Sequence, residues 1–242
     1  MVIPAFNEES LLAQSTAKLH SFLDSHKEFE WEIMIADNAS TDRTLEIAAS
    51  MARQYPRTQV MHLDRKGRGG ALKTIWTAST ADILSYMDAD LSTDLEAFPT
   101  LINALASGKY DVGTGSRLLS PPLTTRSLNR EIMSRGYNLL VRRMLGTHFS
   151  DAQCGFKAIT RSAAQALLPQ VEDVRWFFDT ELLTLAEKAG YRIFDLPVRW
   201  TECDKRASRV KVFRTVIEDL RGLIRLRRKI ARMKAAHIPQ GT

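Results

Sequence analysis

The chain has 242 residues, 44% of them hydrophobic, and a formal net charge of +6. This length and composition suit a single α/β domain with a sizeable core. Its two cysteines, Cys154 and Cys203, lie far apart, which excludes a disulfide framework and indicates a reducing compartment. No apolar run is long enough to span a bilayer and no basic leader is present, so we expect neither a transmembrane helix nor a signal peptide.

The first half of the chain alternates short strands with helices. Strands are predicted over 2–4, 33–36, 60–63, 83–87 and 112–115, and helices over 10–26, 42–54, 71–80 and 94–106. This alternation predicts an α/β fold, with a mostly parallel, Rossmann-like sheet that carries helices on both faces.

The second half has a different pattern. Pro121 and Pro122 mark a loop, after which we predict a basic amphipathic helix, a strand, a helix, an extended segment broken by Pro197, and a long final helix; these elements cover 128–146, part of 151–160, 178–189, 192–200 and 210–233. No clean domain boundary is visible.

The positive charge is concentrated near the C terminus. Residues 205–234 contain twelve Lys or Arg and only two acids, and the rest of the chain is net acidic. A basic segment on an acidic body predicts an anionic partner, either a membrane surface or a nucleic acid. The basic segment lacks interleaved aromatic residues, which argues against nucleic acid.

Asp88 and Asp90 are the strongest chemical signal. They directly follow the buried strand at 83–87, at the strand end where open α/β sheets bind ligands. Two close carboxylates repel unless a cation lies between them, and Mg²⁺ or Mn²⁺ holding substrate phosphates would fit. The alternative is a solvated turn with a cap for the next helix.

Acids also follow the first two strands, in the stretches 7–9 and 37–42. Acids at neighbouring strand ends are costly unless a ligand needs them. They could accept hydrogen bonds from ribose hydroxyls and from a base N–H, so this edge of the sheet is predicted to bind a nucleotide.

The ordered motifs resemble the family 2 glycosyltransferases, which have the GT-A fold. The motifs are VIPAFNEE at 2–9, DNASTD at 37–42, GRGGA at 67–71 and DAD at 88–90. Later segments look like the polyprenyl- and dolichyl-phosphate sugar synthases: GSR at 115–117, DAQCGFK at 151–157, WFFDTELL at 176–183 and LPVRW at 196–200. The QCGFK stretch is more similar to the dolichyl-phosphate β-glucosyltransferases than to the mannosyl branch.

The resemblance implies roles for the residues that match these motifs. The residues that would contact the nucleotide-sugar donor are Pro4, Ala5, Phe6, Glu8, Asp37, Arg68 and Asp88. Asp88 and Asp90 would bind Mg²⁺ or Mn²⁺, with Ser92 as a candidate for a further ligand. Arg68 stands where the family usually has Lys, next to the phosphates; the alternative is a solvent-facing loop charge.

On the acceptor side, a lipid monophosphate is already ionised and needs positioning rather than a strong base. The candidates for binding it are Arg117, Arg130, Ser134, Arg135 and Arg209, with Arg117 the best of them. Arg130 and Arg135 could instead form a basic face on a membrane. Asp179 would be an orienting or base-like group, or else a helix N-cap.

The helix at 210–233 has apolar residues at helical spacing and basic residues over much of its remaining surface, which suits an anionic membrane. The alternative is that its apolar stripe packs on the protein's own core. We divide the chain into a catalytic domain at 1–204, with a nucleotide-sugar half to about 117 and an acceptor half after it, and a basic amphipathic tail at 205–242.

We therefore expect a metal-dependent, inverting glycosyltransferase, peripheral on the cytoplasmic face of a membrane, that moves glucose from UDP-glucose to dolichyl or polyprenyl phosphate. GDP-mannose as donor and a non-catalytic nucleotide-sugar sensor are the alternatives, and a separate membrane-protein partner is left open. Cys154 is expected to be a small buried residue rather than a nucleophile.

Overall fold

The computed structural model describes residues 1–119, 124–125, 128–201 and 212–236. Its strands are Val2–Ala5 (β1), Ile33–Asn38 (β2), Thr58–Leu63 (β3), Ile83–Met87 (β4), Val112–Ser116 (β5), Thr124–Thr125 (β6), Phe156–Thr160 (β7), Ile193–Pro197 (β8) and Trp200–Thr201 (β9). Its helices are Leu12–Ser25 (α1), Thr44–Gln54 (α2), Arg68–Ala78 (α3), Ala97–Ala106 (α4), Leu128–Leu145 (α5), Arg161–Leu167 (α6), Phe178–Lys188 (α7) and Val212–Ala236 (α8), with a 3₁₀ turn at Leu168–Gln170.

Seven strands form one sheet in the order β3-β2-β1-β4-β7-β5-β8, and β6 pairs with β9. All neighbours in the seven-stranded sheet are parallel except β7, which runs antiparallel between β4 and β5. The predicted α/β fold with a mostly parallel sheet is confirmed. The direction of β7 was not predicted, because it depends on the route by which the chain returns after α5.

Each face of the sheet carries its own apolar core. On one face, Leu12, Met51 and Phe98 come from α1, α2 and α4. On the other, α3, α5, α6, α7 and α8 pack around residues such as Trp76 and Leu183. Strands covered on both faces are apolar along their whole length, which is why short apolar runs located them in the sequence.

Helix α6, the 3₁₀ turn and strand β6 were not predicted, and β9 overlaps the predicted extended segment only at Trp200. Helix α6 has a readable signal, because the Thr160 side chain accepts a hydrogen bond from the backbone N–H of Ala163 and so caps its first turn. Strands β6 and β9 are each two residues long, which is too short to carry a periodic pattern.

Helix α8 packs one side against the body of the protein. Leu223, Leu226 and Ile230 are buried in the core, whereas Val216, Leu220 and Ile224 are exposed. Part of the apolar stripe therefore packs on the protein's own core, while other apolar residues of α8 face outward. Within the described ranges, no helix combines the length and the hydropathy needed to cross a membrane.

Candidate active site

The carboxyl end of β4 opens into a cleft that contains both predicted metal-binding acids. Asp88, Asp90 and Ser92 line it together with Arg117, Gly155 and Trp200, around a volume of about 50 Å³, which is room for an ion and a few waters. Asp90 does not cap α4, since that helix begins after Glu96 and has no side-chain cap. Its Oδ1 instead accepts a hydrogen bond from the Ser92 backbone N–H at 3.0 Å.

The oxygen atoms of this cleft fit a hard divalent cation. Mg²⁺ is commonly held by one or two carboxylates together with substrate phosphates. Two carboxylates are present, and the buried Oγ of Ser92 has no hydrogen-bond partner among the described residues. Those residues contain no group of three His, Cys, Asp or Glu suited to a metal, so bound phosphate would have to complete the coordination.

Gly155 determines where the Asp88 carboxylate can lie. The Asp88 backbone N–H donates to the carbonyl of Gly155 at 2.9 Å, and a Cβ placed on Gly155 would overlap the Asp88 carboxylate. Burial raises the pKa of Asp88, while the nearby Arg68 guanidinium opposes that rise and Asp90 adds to it. Only glycine at position 155 allows this approach.

Arg68 lies at the first residue of α3 and connects two acids. Its Nη1 donates to Asp88 Oδ1 at 3.1 Å, and its Nη2 donates to Asp179. The guanidinium lies 5.4 Å from the Tyr86 ring centroid and 4.6 Å from that of Trp176. Only 8% of the side chain is exposed, so Arg68 is an internal cation of the site and not a solvent-facing loop charge.

Asp179 is fully buried and its carboxylate is held from several sides. The Tyr86 hydroxyl donates to its Oδ1 at 2.7 Å, and Lys157 Nζ lies 3.8 Å from the same atom. Asp179 lies in the first turn of α7, after the N-cap Phe177, so it is not the N-cap. This arrangement leaves Asp179 to orient Arg68 and Tyr86, because its oxygens already accept hydrogen bonds.

Lys157 is a second buried cation beside these acids. It donates to the carbonyl of Cys154 at 2.6 Å and is 1% exposed. Cys154 is itself fully buried, and burial raises the pKa of its thiol to about 11, which keeps it protonated near neutral pH. The prediction of a small buried cysteine is confirmed.

The end of β2 supplies the acid predicted to contact the nucleoside. Asp37 is fully buried, and its Oδ2 lies 2.6 Å from Nδ1 of His62, its partner across β2 and β3. Its Oδ1 has no hydrogen-bond partner within the described part of the chain. The neighbouring Asn38 Oδ1 accepts the backbone N–H of Gly67 at 2.7 Å, which ties the glycine-rich turn to β2.

The remaining predicted donor residues follow β1. Pro4 and Ala5 end the strand beside β2, and the ring of Phe6 carries the Lys66 ammonium 3.3 Å from its centroid. The Glu8 backbone N–H donates to the Thr44 hydroxyl at 2.6 Å, and Glu8 is 9% exposed. All four lie at the same edge of the sheet as Asp37.

Arg117, the leading acceptor candidate, is fixed by Asp151. Its Nε and Nη2 donate to the two carboxylate oxygens at 2.7 and 2.9 Å. Burial lowers the pKa of Arg117 but Asp151 more than restores it, so the guanidinium stays charged; the same pair lowers the pKa of the buried Asp151. A fixed guanidinium therefore faces the cleft that Asp88 and Asp90 line.

The other acceptor candidates do not gather there in the described structure. Arg135 is exposed and its Nε contacts Glu131 at 2.6 Å. The Ser134 Oγ is buried without a hydrogen-bond partner among described residues. The side chain of Arg130 and the whole of Arg209 lie outside the described residues.

Several residues of the site were not predicted as such. They are His62, Tyr86, Asp151, Lys157 and Trp176. Lys157 and Asp151 lie inside the DAQCGFK motif, so the sequence carried a signal for them. His62 could have been found only from its register opposite Asp37.

The fold and the acid-lined sheet edge are those of a GT-A glycosyltransferase. Residues 1–168 match the family described as Glycosyl transferase family 2, and the chain belongs to that family. The UDP complex of glucosyl-3-phosphoglycerate synthase from Mycobacterium tuberculosis superimposes with a TM-score of 0.67 at 20% identity, covering 95% of this chain and 78% of that one. This likeness confirms the fold.

Among curated proteins, the chain is 40% identical over 205 residues to Glycosyltransferase AglD of Haloferax volcanii, covering 83% of this chain and 32% of AglD. It is 31% identical over 213 residues to dolichyl-phosphate beta-glucosyltransferase ALG5C of Trichomonas vaginalis, covering 83% of this chain and 63% of that protein. The chain thus spans about a third of the length of AglD and under two thirds of the length of ALG5C. The predicted resemblance to dolichyl-phosphate β-glucosyltransferases is confirmed.

Proposed function

We propose that this chain transfers glucose from UDP-glucose to dolichyl or polyprenyl phosphate with inversion at the anomeric carbon. The observation that carries the proposal is the convergence of Asp88, Asp90 and Arg68 at the carboxyl end of β4. The similarity to proteins named dolichyl-phosphate beta-glucosyltransferase supports the sugar and the acceptor. A structural neighbour crystallised with Mn²⁺ and UDP-glucose supports the donor and the metal.

In this proposal the donor lies along the ends of β1, β2 and β4. The unpaired buried oxygen of Asp37 would accept a hydrogen bond from the nucleoside, since an unsatisfied buried acceptor is costly until a donor reaches it. Asp88, Asp90 and Ser92 would hold Mg²⁺ or Mn²⁺, which stabilises the charge on the departing diphosphate. Arg68 adds a fixed positive charge beside Asp88.

The acceptor phosphate enters as an anion, and an oxygen of that phosphate forms the new bond to the anomeric carbon. The bond from that carbon to the diphosphate breaks, and the electron pair leaves with UDP. A single displacement on the opposite side of the sugar inverts its configuration. Arg117, held by Asp151, would orient the phosphate for this attack.

No strong base is required, because a phosphate monoester has a second pKa of about 6 and is mostly ionised at neutral pH. The geometry of Asp179 agrees with this, since its buried carboxylate is engaged by Tyr86 and Arg68. We assign Asp179 to holding Arg68 in place rather than to accepting a proton.

The acceptor would be reached at a membrane surface. The outer side of α8 exposes Val216, Leu220 and Ile224 beside the exposed Arg221 and Arg228. Apolar residues next to arginines fit the interface of an anionic leaflet. We propose a peripheral position on the cytoplasmic face.

Sugar transfer in vesicles tests the proposal. The chain is incubated with polyprenyl phosphate, Mn²⁺ or Mg²⁺, and one of labelled UDP-glucose, GDP-mannose or UDP-N-acetylglucosamine. We expect a metal-dependent glycolipid from UDP-glucose, lowered about a hundredfold or more in Asp90→Asn. Asp82→Asn is the matched control, because Asp82 is an exposed acid just before β4 at its opposite end.

Other outcomes identify the alternatives. A glycolipid formed only from GDP-mannose would replace the donor and keep the acceptor. UDP binding without product from any donor would favour the non-catalytic sensor. Equal activity of Asp90→Asn and the unsubstituted chain would reject the metal assignment.

A further inference from the structure

The segment Glu172–Phe178, here called the bridge segment, contacts both the N-terminal end of α3 and helix α8. On one side it contacts the N-terminal end of α3, residues Gly67–Gly70, here called the glycine loop, which carries Arg68. On the other side it contacts α8. The bridge segment therefore connects the donor side of the site to the C-terminal helix.

Its contacts with the glycine loop are close and specific. The Gly70 backbone N–H donates to the Val174 carbonyl at 2.9 Å. A Cβ on Gly67 would come within 2.5 Å of the same oxygen, so glycine is needed for this approach. Trp176 covers the Arg68 guanidinium. A shift of the bridge segment would thus move both the backbone of the loop and the cover over Arg68.

One arginine of α8 contacts two acids of the bridge segment and a buried acid of α7. Arg225 reaches Glu181 at 3.1 Å, Glu172 at 3.4 Å and Asp173 at 3.7 Å. Glu181 is fully buried and also accepts the Asp173 backbone N–H at 2.8 Å. The Arg225 guanidinium therefore contacts acids on the body of the protein, although 40% of the side chain is exposed.

Removing Arg225 would leave three acids close together without their shared cation. A buried carboxylate without its partner is strongly unfavourable, so we expect the bridge segment to rearrange. Two further ion pairs tie the bridge segment to α8: Lys229 lies 2.9 Å from Glu172, and Arg175 contacts Glu218 at 3.1 Å. Both include exposed side chains, so each contributes less than the contact with the buried Glu181. Phe177 packs beneath Gly222, where a Cβ would come within 2.6 Å of the ring.

We propose that Arg225 is a positioning residue for the donor: it holds the bridge segment, which in turn fixes the glycine loop and Arg68. The proposal rests on the proposed function for its donor, but its structural part concerns the glycine loop alone. Networks of this kind shift affinity at a distant site by about threefold to thirtyfold.

The test compares Arg225→Gln with Arg227→Gln. Arg227 lies on the exposed side of the same helix, and its replacement by Gln removes the same positive charge. With Mn²⁺ present and no vesicles, calorimetry gives the Kd for UDP and for UDP-glucose. We expect Arg225→Gln to weaken both about threefold to thirtyfold and Arg227→Gln to leave both unchanged.

Amide hydrogen exchange provides a second measurement that needs no donor. The Gly70 amide, bonded to Val174, should exchange faster in Arg225→Gln and not in Arg227→Gln. Arg225→Lys keeps the charge without the planar set of donors, so it should show a smaller change of the same sign. If Arg225→Gln does not fold, Arg225→Lys replaces it in both measurements.

A lower melting temperature with unchanged Kd values and unchanged exchange at Gly70 would overturn the proposal, since Arg225 would then be only a structural contact. Failure of the unsubstituted chain to bind UDP would overturn the proposed function and the donor part of this inference. The exchange measurement would still decide whether Arg225 fixes the glycine loop.

Discussion

Gly155 and Asp88 occupy adjoining space so closely that a methyl group on Gly155 would overlap the Asp88 carboxylate. Their backbones are also joined, by the hydrogen bond from the Asp88 N–H to the Gly155 carbonyl at 2.9 Å. The loop after Asp151 thus determines the position of an acid that lies 67 residues earlier in the sequence. Glycine in the QCGFK motif has a physical explanation in this contact.

We therefore expect Gly155→Ala to displace the Asp88 side chain and to weaken Mn²⁺-dependent binding of UDP by about tenfold or more. Calorimetric titration with UDP, with and without Mn²⁺, measures this. Gly136→Ala is the control, because a Cβ there meets no atom within 4 Å. Gly136 lies in α5, so alanine should raise the free energy of unfolding by about 0.5–1 kcal/mol and leave UDP binding alone.

His62 should contribute to donor affinity through Asp37. In His62→Leu the buried Asp37 carboxylate loses the ring nitrogen 2.6 Å from its Oδ2. Hydrogen bonds to charged groups contribute about 1.5–3 kcal/mol, so the KM for the donor should rise about tenfold or more with little change in kcat. His148→Leu is the control, because His148 is 91% exposed and pairs with Glu187 instead. A lower kcat with unchanged KM would contradict this assignment.

The Tyr86 hydroxyl should matter for both stability and turnover. Tyr86→Phe removes only the oxygen that donates to Asp179 at 2.7 Å. A buried carboxylate that loses a donor costs about 1–3 kcal/mol of unfolding free energy, measurable by urea denaturation. If Asp179 orients Arg68, kcat falls as well. Tyr110→Phe is the control, since Tyr110 packs its ring against Phe194; we expect a change within about 0.5 kcal/mol.

The exposed apolar residues of α8 should mediate membrane binding. Replacing Leu220 and Ile224, each more than 40% exposed, with Ser should lower cosedimentation with anionic vesicles. Leu223→Ser is the informative comparison, because Leu223 is buried and its replacement should lower stability instead. Unchanged vesicle binding of the Leu220 and Ile224 variant would reject this face as the contact.

The acids at the sheet edge could be predicted because each directly follows a recognisable strand. Asp37 and Asp88 end β2 and β4, and parallel strands bring their carboxyl ends to the same edge. The sequence pattern alone therefore located the sheet edge that we propose binds the donor. Gly155 and Lys157 were within a quoted motif, but their contacts with Asp88 and Asp179 depend on β7 running antiparallel beside β4.

The cation pairs could not be predicted in this way. Arg68 and Asp179 are 111 residues apart, and their contact depends on how α7 packs against α3. Arg225 and Lys229 were grouped with the outward-facing basic residues of α8. In the structure both contact Glu172 on the body of the protein. Helical spacing shows that a face is basic, but it does not show which acids another part of the chain brings to it.

Asp219 should make the stability of the protein depend on pH. This carboxyl is 5% exposed, and burial, with Asp173 and Glu218 nearby, raises its pKa to about 7, while the hydrogen bond from Gln153 lowers it. Between pH 4 and pH 7 the folded protein holds a proton that the unfolded chain has released. Stability therefore falls as pH rises through this window and levels off above it, by at most about 4 kcal/mol.

Asp219→Asn should remove this part of the pH dependence, because its amide does not titrate and its oxygen can still accept from Gln153. Urea denaturation at pH 5 and pH 8 measures the difference. We expect the variant to gain stability relative to the unsubstituted chain at pH 8 and to gain little at pH 5. Glu28→Gln, a change at an exposed loop acid, should keep the original pH dependence. Parallel stability curves for Asp219→Asn and the unsubstituted chain would show that Asp219 ionises in the folded protein as readily as in the unfolded one.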